Sequence, residues 1–209
     1  MSEIFRKGNT TPKAKQVGTL ERAIAVPQIV GDPKDFLIVA GVAGTSMDTV
    51  SMCGMQASNF AFAAAMGSAV AMGLGLALAQ PEKKVLVITG DGELLMNVGS
   101  LATVAMINPP NLSILCVDNG HYWETGGQTS HTALVTDLAA MAAGAGIPAV
   151  TTVTQESEFS QAAALLRSDG NSSFVLLKVK PGEPPRARRA AEPGFIKTRF
   201  RMALAEEQG

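Results

Sequence analysis

The sequence predicts an α/β domain in which a doubly wound, mostly parallel β-sheet carries helices on both faces. Short apolar runs, which favour buried strands, alternate along the chain with longer segments whose apolar residues recur at helical spacing. Such alternation is typical of parallel βαβ units, because a crossover helix must return the chain to the same end of the sheet. The predicted strands are residues 36–40, 85–89, 112–117, 150–153 and 174–179.

The predicted helices occupy residues 20–30, 61–79, 93–107, 137–145 and 156–168. Alanine dominates the segment 61–79, whose apolar stretch approaches the length of a membrane span. However, Gly67, Gly73 and Gly75 interrupt this segment, and charged residues follow it directly. We therefore interpret it as a buried helix whose small residues let another backbone approach closely, and we expect no membrane partner.

The composition is that of a single globular domain. Of the 209 residues, 46% are apolar and 17% are charged, which is enough chain to bury one substantial core. We predict a flexible arm at residues 1–17, one domain at 18–180, and a tail at 181–209 that is rich in proline, arginine and alanine. The last part of the tail, residues 196–207, favours a docking helix.

Charge and cysteine content exclude several classes of protein. A net charge of -1 lacks the basic field with which nucleic-acid binders displace counterions, so no nucleic acid is expected. The polar N-terminus has no apolar core of a secretory signal. Cys53 and Cys116 lie far apart among apolar residues. We predict buried free thiols in a reducing, cytoplasmic compartment, and neither a disulfide nor an iron–sulfur site.

Two polar residues follow neighbouring predicted strands. Asp91 lies in a Gly90-Asp91-Gly92 turn after one strand, and Asn119 comes directly after the next. Ligands bind at the carboxyl edge of a parallel sheet, so the two side chains lie close together if the strands are neighbours. Carboxylate and amide oxygens suit Mg2+, the glycines leave room for a phosphate, and the following helix offers its N-terminal amides. The alternative is that Asp91 only caps this helix.

The spacing of the turn and the asparagine resembles a known signature. The Gly-Asp-Gly turn, 26 intervening residues and Asn119 resemble the motif of thiamine-diphosphate-dependent enzymes. The resemblance implies a thiamine-diphosphate-binding fold of the pyrophosphate type. It also implies that Asp91 and Asn119 bind Mg2+ through their side chains and His121 through its main-chain oxygen. Asp118 stands where an asparagine is usual, and Glu93 stands where many relatives have serine or alanine.

The resemblance extends over residues 37–179. The segment 59–79 and the runs GDGELLMNVGSLATVAMI and VDNGHYWETGGQTSHT are similar to the pyrophosphate-binding subunit or domain of sulfopyruvate and phosphonopyruvate decarboxylases. In such enzymes a bulky apolar residue wedges under the cofactor, and Met66 matches that position, with core packing as the alternative. Gly44 and Thr45 are candidate diphosphate contacts; the alternative is a simple turn with a helix cap.

Candidate substrate contacts lie in the polar loop after Asn119. The residues Glu124, Thr125 and Gln128 would cover the thiazolium side of the cofactor, and the glycines of the loop permit movement. His131 is a further catalytic candidate, the alternative being a solvent-facing histidine. The tail is basic, and it either reaches an anionic substrate or forms a solvated or intersubunit segment. Its basic residues are Arg186, Arg188, Arg189, Lys197, Arg199 and Arg201.

The resemblance also implies a missing part. Such enzymes need a glutamate on a second, pyrimidine-binding domain, and this chain holds one domain of the two. We therefore expect a partner (alpha) subunit that supplies the glutamate within a heterotetramer or larger complex. The leading hypothesis is the pyrophosphate-binding subunit of a decarboxylase for an anionic 2-oxo acid. The alternatives are half of a carboligase, acetolactate-synthase-like or transketolase-like, and a non-catalytic cofactor-binding subunit.

Overall fold

The computed structural model describes residues 18–54, 56–187 and 192–206, and a parallel β-sheet of six strands lies at its centre. The strands are β1 (Leu37–Ala40), β2 (Asn59–Ala61), β3 (Val85–Gly90), β4 (Leu112–Asp118), β5 (His121–Tyr122), β6 (Gln128–Thr129), β7 (Ala149–Val153) and β8 (Ser173–Lys178). The large sheet has the order β2-β1-β3-β4-β8-β7, and β5 and β6 form a separate antiparallel pair. The predicted α/β fold is confirmed. The predicted arm at 1–17 lies outside the described residues.

Helices cover both faces of the sheet. They are α1 (Arg22–Val30), α2 (Gly44–Cys53), α3 (Ala69–Ala79), α4 (Asp91–Met96), α5 (Ser100–Ile107), α6 (Leu138–Ala145), α7 (Phe159–Leu166) and α8 (Pro193–Glu206). Helices α3, α5 and α6 contribute to one buried apolar cluster, and α1 and α7 contribute to another. Within the described residues, no helix is long and apolar enough to cross a membrane.

Strand β3 shows why its sequence forms a central strand. Its side chains alternate between the two clusters, with Val85 and Val87 on one face and Leu86 and Ile88 on the other. All four are completely buried, as expected for a parallel strand covered by helices on both faces. The continuous apolar run in the sequence is therefore the pattern of a strand with two buried faces.

The predicted helix over residues 61–79 is wrong in its first half. Residues 59–61 form the edge strand β2 instead, and α3 begins only at Ala69. Between them, Ala65 and Gly67 adopt positive φ angles of 66° and 89°, which end any helical path. The remaining part does pack closely, because a Cβ on Gly73 would lie 2.1 Å from Val87 Cγ2.

The predicted helix over residues 93–107 is two helices. The first, α4, begins at Asp91 and ends at Met96, and α5 begins at Ser100. Asn97 has φ -141° and ψ 44°, which is outside the helical region, and its side chain donates to Gly67 O at 3.2 Å. Two further elements fall in segments predicted as irregular: α2 in the first glycine-rich turn, and the β5–β6 hairpin in the polar loop.

Helix α8 packs against β2, the edge strand at the other end of the sheet from β7. It begins three residues before the segment predicted to form a docking helix, and it buries Ile196 and Phe200. The Phe200 ring packs edge-on against Phe60 of β2 at a centroid distance of 5.7 Å. Arg199 donates to the main-chain oxygen of Asn59 at 2.8 Å. In the sheet, β8 and β2 are separated by β4, β3 and β1, so α8 packs far from the strand that precedes it in the chain.

Candidate functional site at the carboxyl edge of the sheet

A cavity of about 470 Å³ opens at the carboxyl edge of the sheet. Its walls come from the segment after β1, the turn after β3, the end of β4 with the hairpin, and residues 183–187 of the tail. All nine residues predicted to bind the cofactor or the metal ion line it, namely Gly44, Thr45, Met66, Gly90, Asp91, Gly92, Glu93, Asn119 and His121. Of the predicted substrate contacts, Glu124 and Thr125 also line the cavity, whereas its walls are formed without Gln128 and His131.

Strand pairing brings Asp91 and Asn119 to the same edge. β3 and β4 are parallel neighbours, and Gly90 is paired with Val117. Asp91 follows the first of these residues, and Asn119 follows the second by two positions. Both side chains are buried and line the cavity. The prediction that the two side chains lie close together required β3 and β4 to be neighbours, and they are.

Asp91 is held by two hydroxyl groups. Ser130 Oγ donates to Asp91 Oδ2, and Thr132 Oγ1 lies 3.0 Å from the same oxygen. Burial raises the pKa of the Asp91 carboxyl, and the nearby charge of Asp118 raises it further, while both hydroxyls act in the opposite direction. Burial beside a second carboxylate is an environment in which a bound cation would relieve repulsion.

Asn119 and His121 form a compact turn after β4. The backbone N–H of His121 donates to Asn119 Oδ1 at 3.0 Å, and His121 Nδ1 lies 2.9 Å from the main-chain oxygen of Asn119. Gly120 between them has φ 69°, a left-handed conformation in which glycine is favoured. The amide side chain of Asn119 is thus fixed by its own turn at the cavity wall.

The oxygen donors of this wall fit a magnesium ion. Asp91 offers a carboxylate oxygen, Asn119 an amide oxygen, and His121 a main-chain carbonyl. Mg2+ prefers oxygen ligands and takes only one or two carboxylates when phosphate oxygens complete its shell. Within the described residues, there is no group of three or more His, Cys, Asp or Glu side chains that could hold a metal ion. The donor set therefore suits a hard cation that is bound together with a phosphate-bearing molecule.

Glu93 points to the neighbouring loop. Its Oε2 accepts hydrogen bonds from the backbone N–H of Val42 at 3.2 Å and from Thr89 Oγ1 at 3.3 Å. Gly41 leaves the space that this carboxylate occupies, because a Cβ there would lie 1.6 Å from Glu93 Oε2. Burial raises the pKa of the Glu93 carboxyl. Glu93 thus fastens the loop after β1 to the turn after β3.

The loop after β1 leads into α2. Thr45 Oγ1 donates to the main-chain oxygen of Val42 at 3.1 Å, which stabilises the first turn of the helix. Behind it, the Arg22 guanidinium forms a buried ion pair with Asp48, with Nε donating to Oδ1 at 3.0 Å. Arg22 also lines the cavity and was not predicted from the sequence. This ion pair joins α1 to α2. Its two residues are far apart in the chain, and no local sequence motif predicts the contact.

Met66 lies on the cavity wall. It sits between two residues with positive φ, Ala65 and Gly67, and 38% of its surface is exposed. A core methionine would be buried. Its exposure and its place on the cavity wall favour the cofactor wedge over the core-packing alternative.

The β5–β6 hairpin covers one side of the cavity. Tyr122 and Trp123 line the cavity, and the Tyr122 ring occupies the space beside Gly92, where a Cβ would lie 2.3 Å from it. Thr125 and Gln128 bond to each other, with Thr125 Oγ1 donating to Gln128 Oε1 at 3.1 Å. Both are exposed.

The predicted basic tail separates into parts with different surroundings. Arg186 lines the cavity, is 94% exposed in its side chain and lies 3.8 Å from Glu183. Arg199 instead binds β2. Arg188 and Arg189 lie outside the described residues.

Comparison with known proteins decides the family. Residues 40–179 match the model of the thiamine pyrophosphate enzymes, C-terminal TPP binding domain. The chain belongs to the thiamine pyrophosphate enzymes. The resemblance predicted from the Gly-Asp-Gly turn and Asn119 is confirmed at this level.

Among these enzymes, the chain is 38% identical over 163 residues to sulfopyruvate decarboxylase subunit beta of Methanothermobacter thermautotrophicus, covering 78% of this chain and 84% of that protein. It is 34% identical over 197 residues to phosphonopyruvate decarboxylase of Streptomyces viridochromogenes, covering 94% of this chain and 48% of that one. The chain also spans 65% of the length of a second sulfopyruvate decarboxylase subunit beta and 48% of a second phosphonopyruvate decarboxylase, so it covers about half to two thirds of several of these relatives.

A solved structure shows the same fold. The thiamine diphosphate-dependent 4-hydroxybenzoylformate decarboxylase of Rhodococcus jostii RHA1 matches with a TM-score of 0.61 at 20% identity. The match covers 84% of this chain and 36% of that one. The shared architecture is therefore that of one domain within a longer thiamine diphosphate-dependent enzyme.

Proposed function

We propose that this chain is the pyrophosphate-binding subunit of a thiamine-diphosphate- and Mg2+-dependent decarboxylase that acts on an anionic 2-oxo acid. The observation that carries the proposal is the position of Asp91 and Asn119 on paired strands, facing one cavity of a thiamine pyrophosphate domain. Similarity to sulfopyruvate and phosphonopyruvate decarboxylases supports the reaction and the substrate class.

The residues of this chain have separate roles in the proposal. Asp91, Asn119 and the carbonyl of His121 would hold the magnesium ion, while Gly44, Thr45, Gly90 and Gly92 would lie against the diphosphate. Met66 would support the cofactor from below. When bound, thiamine diphosphate supplies the electron sink that makes loss of CO2 from a 2-oxo acid possible. Burial of Asp91 and Asn119 would limit the contact of both ligands with bulk water.

The hairpin is the proposed substrate side of the site. Thr125 lies at the cavity wall, and Gln128 is bonded to it, so Thr125 would contact substrate directly and Gln128 would orient it. His131, which is exposed, would act only if the loop moves on assembly.

We propose a partner alpha subunit that supplies the catalytic glutamate. The name "subunit beta" of the similar proteins supports a two-chain enzyme. The two buried free cysteines support a reducing, cytoplasmic location.

Calorimetry on the full chain tests cofactor binding. Thiamine diphosphate is expected to bind only with Mg2+, and the Asp91→Asn variant is expected to lose that binding. Asp32→Asn is the matched control, because Asp32 caps an exposed turn through Lys34 N and asparagine preserves this bond. Normal magnesium-dependent binding by Asp91→Asn contradicts the metal assignment.

A product assay on the chain co-purified with its partner tests the reaction. Sulfopyruvate, phosphonopyruvate, pyruvate and 2-oxoglutarate would be supplied in turn, and CO2 and the organic product measured. The expected result is CO2 together with an aldehyde from the sulfonate or phosphonate substrate. A product with a new carbon–carbon bond would instead indicate a carboligase, and cofactor binding without turnover of any substrate would indicate a non-catalytic subunit.

A further inference from the structure

A buried hydrogen-bond network joins Asp91 to the ends of β4 and β8. Ser130 is 1% exposed and Thr132 is 0% exposed, and neither belongs to the cavity wall. Both nevertheless contact the carboxylate of Asp91 at the same oxygen, Oδ2. They are placed to act on a molecule in the cavity only through Asp91.

The turn after β4 brings the two hydroxyls to this place. The backbone N–H of Ser130 donates to Gly120 O at 2.7 Å, so the chain closes on itself after the hairpin. Ala133 packs against Gly120, where a Cβ would approach it to 3.0 Å. The loop is therefore closed at its base, and Ser130 and Thr132 lie at the closure.

Asp118 fixes both sides of that closure. Its Oδ1 accepts from the backbone N–H of Gly120 at 2.9 Å and from Thr132 Oγ1 at 2.8 Å. Its Oδ2 forms an ion pair with Lys178 Nζ at 2.6 Å, between residues that are paired in register on β4 and β8. A carboxylate at this position can take both roles because it has two acceptor oxygens and a charge for the lysine. The aspartate in place of the usual asparagine thus has a structural partner.

The Thr132 hydroxyl has a single proton, and its oxygen lies within hydrogen-bond distance of both Asp91 and Asp118. It donates this proton to one carboxylate at a time, and it lies between them, 2.8 Å from Asp118 Oδ1 and 3.0 Å from Asp91 Oδ2. Ser130 Oγ, 2.9 Å from Thr132 Oγ1, completes the contact with Asp91. The orientation of the Asp91 carboxylate is in this way tied to an ion pair two strands away.

We propose that Ser130 and Thr132 are positioning residues that hold Asp91 Oδ2 and thereby direct Oδ1 to the metal ion. The inference rests on the proposed magnesium site at Asp91. Ser130 donates to Oδ2 and the Thr132 hydroxyl lies beside the same oxygen, which leaves the other carboxylate oxygen for a cation. Groups that orient a metal ligand typically change metal affinity by about 10- to 100-fold.

Trp123 provides a direct measurement. It is the only tryptophan of the chain and lines the cavity, so its fluorescence reports on binding there without any need for turnover. The full chain would be saturated with thiamine diphosphate and titrated with MgCl2. Thr132→Val and Ser130→Ala are each expected to raise the half-saturating Mg2+ concentration by about 10- to 100-fold. Thermal unfolding of each variant is recorded alongside.

The variants at position 132 separate positioning from packing. Thr132→Ser keeps the hydroxyl and loses the methyl group, whereas Thr132→Val keeps the methyl group and loses the hydroxyl. The proposal requires wild-type magnesium affinity in Thr132→Ser even if both variants unfold at lower temperature. Thr129→Val, at an exposed position of β6, is the matched control and should leave the titration unchanged.

The outcomes distinguish this inference from the proposed site. The site stands if Asp91→Asn abolishes the magnesium response. In that case the positioning role is overturned if Thr132→Val titrates like Thr129→Val, or if Thr132→Val and Thr132→Ser change the half-saturating Mg2+ concentration equally. If Asp91→Asn responds like the wild-type chain, or the wild-type chain gives no magnesium-dependent response, the proposed site itself is overturned.

Discussion

Helix α3 packs against β3 at Gly73, and this contact provides a matched pair of substitutions in one helix. A Cβ on Gly73 would lie 2.1 Å from Val87 Cγ2, whereas a Cβ on Gly75 would meet nothing within 4 Å. Carbon atoms in contact normally lie about 3.5–4.0 Å apart. Val87 is completely buried between β1 and β4, so its side chain cannot move aside without disturbing both neighbours.

Gly73→Ala and Gly75→Ala should therefore change stability in opposite directions. Overpacking costs about 1–3 kcal/mol. Alanine in place of glycine in a helix interior contributes about 0.5–1 kcal/mol of stability, and this gain is common to both variants. Their difference isolates the collision, and about 1–3 kcal/mol corresponds to roughly 2–12 °C in Tm for a chain of this length.

Urea unfolding followed by circular dichroism measures this difference. We expect Gly75→Ala to have a higher midpoint than the wild-type chain and Gly73→Ala a lower one, with similar slopes. If Gly73→Ala is as stable as Gly75→Ala, α3 can shift away from β3 without cost, and the close-packing argument is refuted.

Three further predictions concern the site and its surroundings. Asp118→Asn should lower the free energy of unfolding, measured in urea, by about 3 kcal/mol, because Lys178 loses its buried charge partner. Adding Lys178→Met should recover part of this loss. If the effects of the two substitutions are simply additive, the two side chains are not coupled. Burial raises the pKa of the Cys53 thiol to about 11, so its alkylation, followed by mass spectrometry, should be slow at pH 8 and rise about tenfold per pH unit; rapid reaction at pH 8 contradicts this. Gly92→Ala should weaken thiamine diphosphate binding in calorimetry, because its methyl group displaces the Tyr122 ring by contact at 2.3 Å; unchanged affinity would show that the ring is free to move.

The central strands could be predicted because their burial leaves a pattern in a short stretch of sequence. Strands β1, β3, β4 and β8 are almost entirely buried, and burial on both faces leaves a continuous apolar run in the sequence. The edge strand β2 could not be found in the same way. Its three residues lead into an alanine-rich run that favours a helix, and strand formation depends on pairing Ala61 with Ala40.

The candidate site was predictable as far as it depends on strand ends. Asp91 and Asn119 follow adjacent strands, so the sheet alone brings them together. The contacts of Asp91 with Ser130 and Thr132 span 39 and 41 residues and depend on how the loop after Asn119 closes. Loop closure is decided by tertiary packing, which no local spacing in the sequence records.

The docking of α8 has a consequence for how this protein behaves among other copies of itself. β2 is an edge strand, and the unpaired main-chain groups of such a strand can template the addition of a strand from a neighbouring molecule. The Arg199 guanidinium donates a hydrogen bond to the main-chain oxygen of Asn59, and the Phe200 ring packs against Phe60. Residues 183–187 lie at the cavity wall and α8 covers β2, so the C-terminal part of the chain contributes both to the cavity and to shielding the sheet edge from self-association.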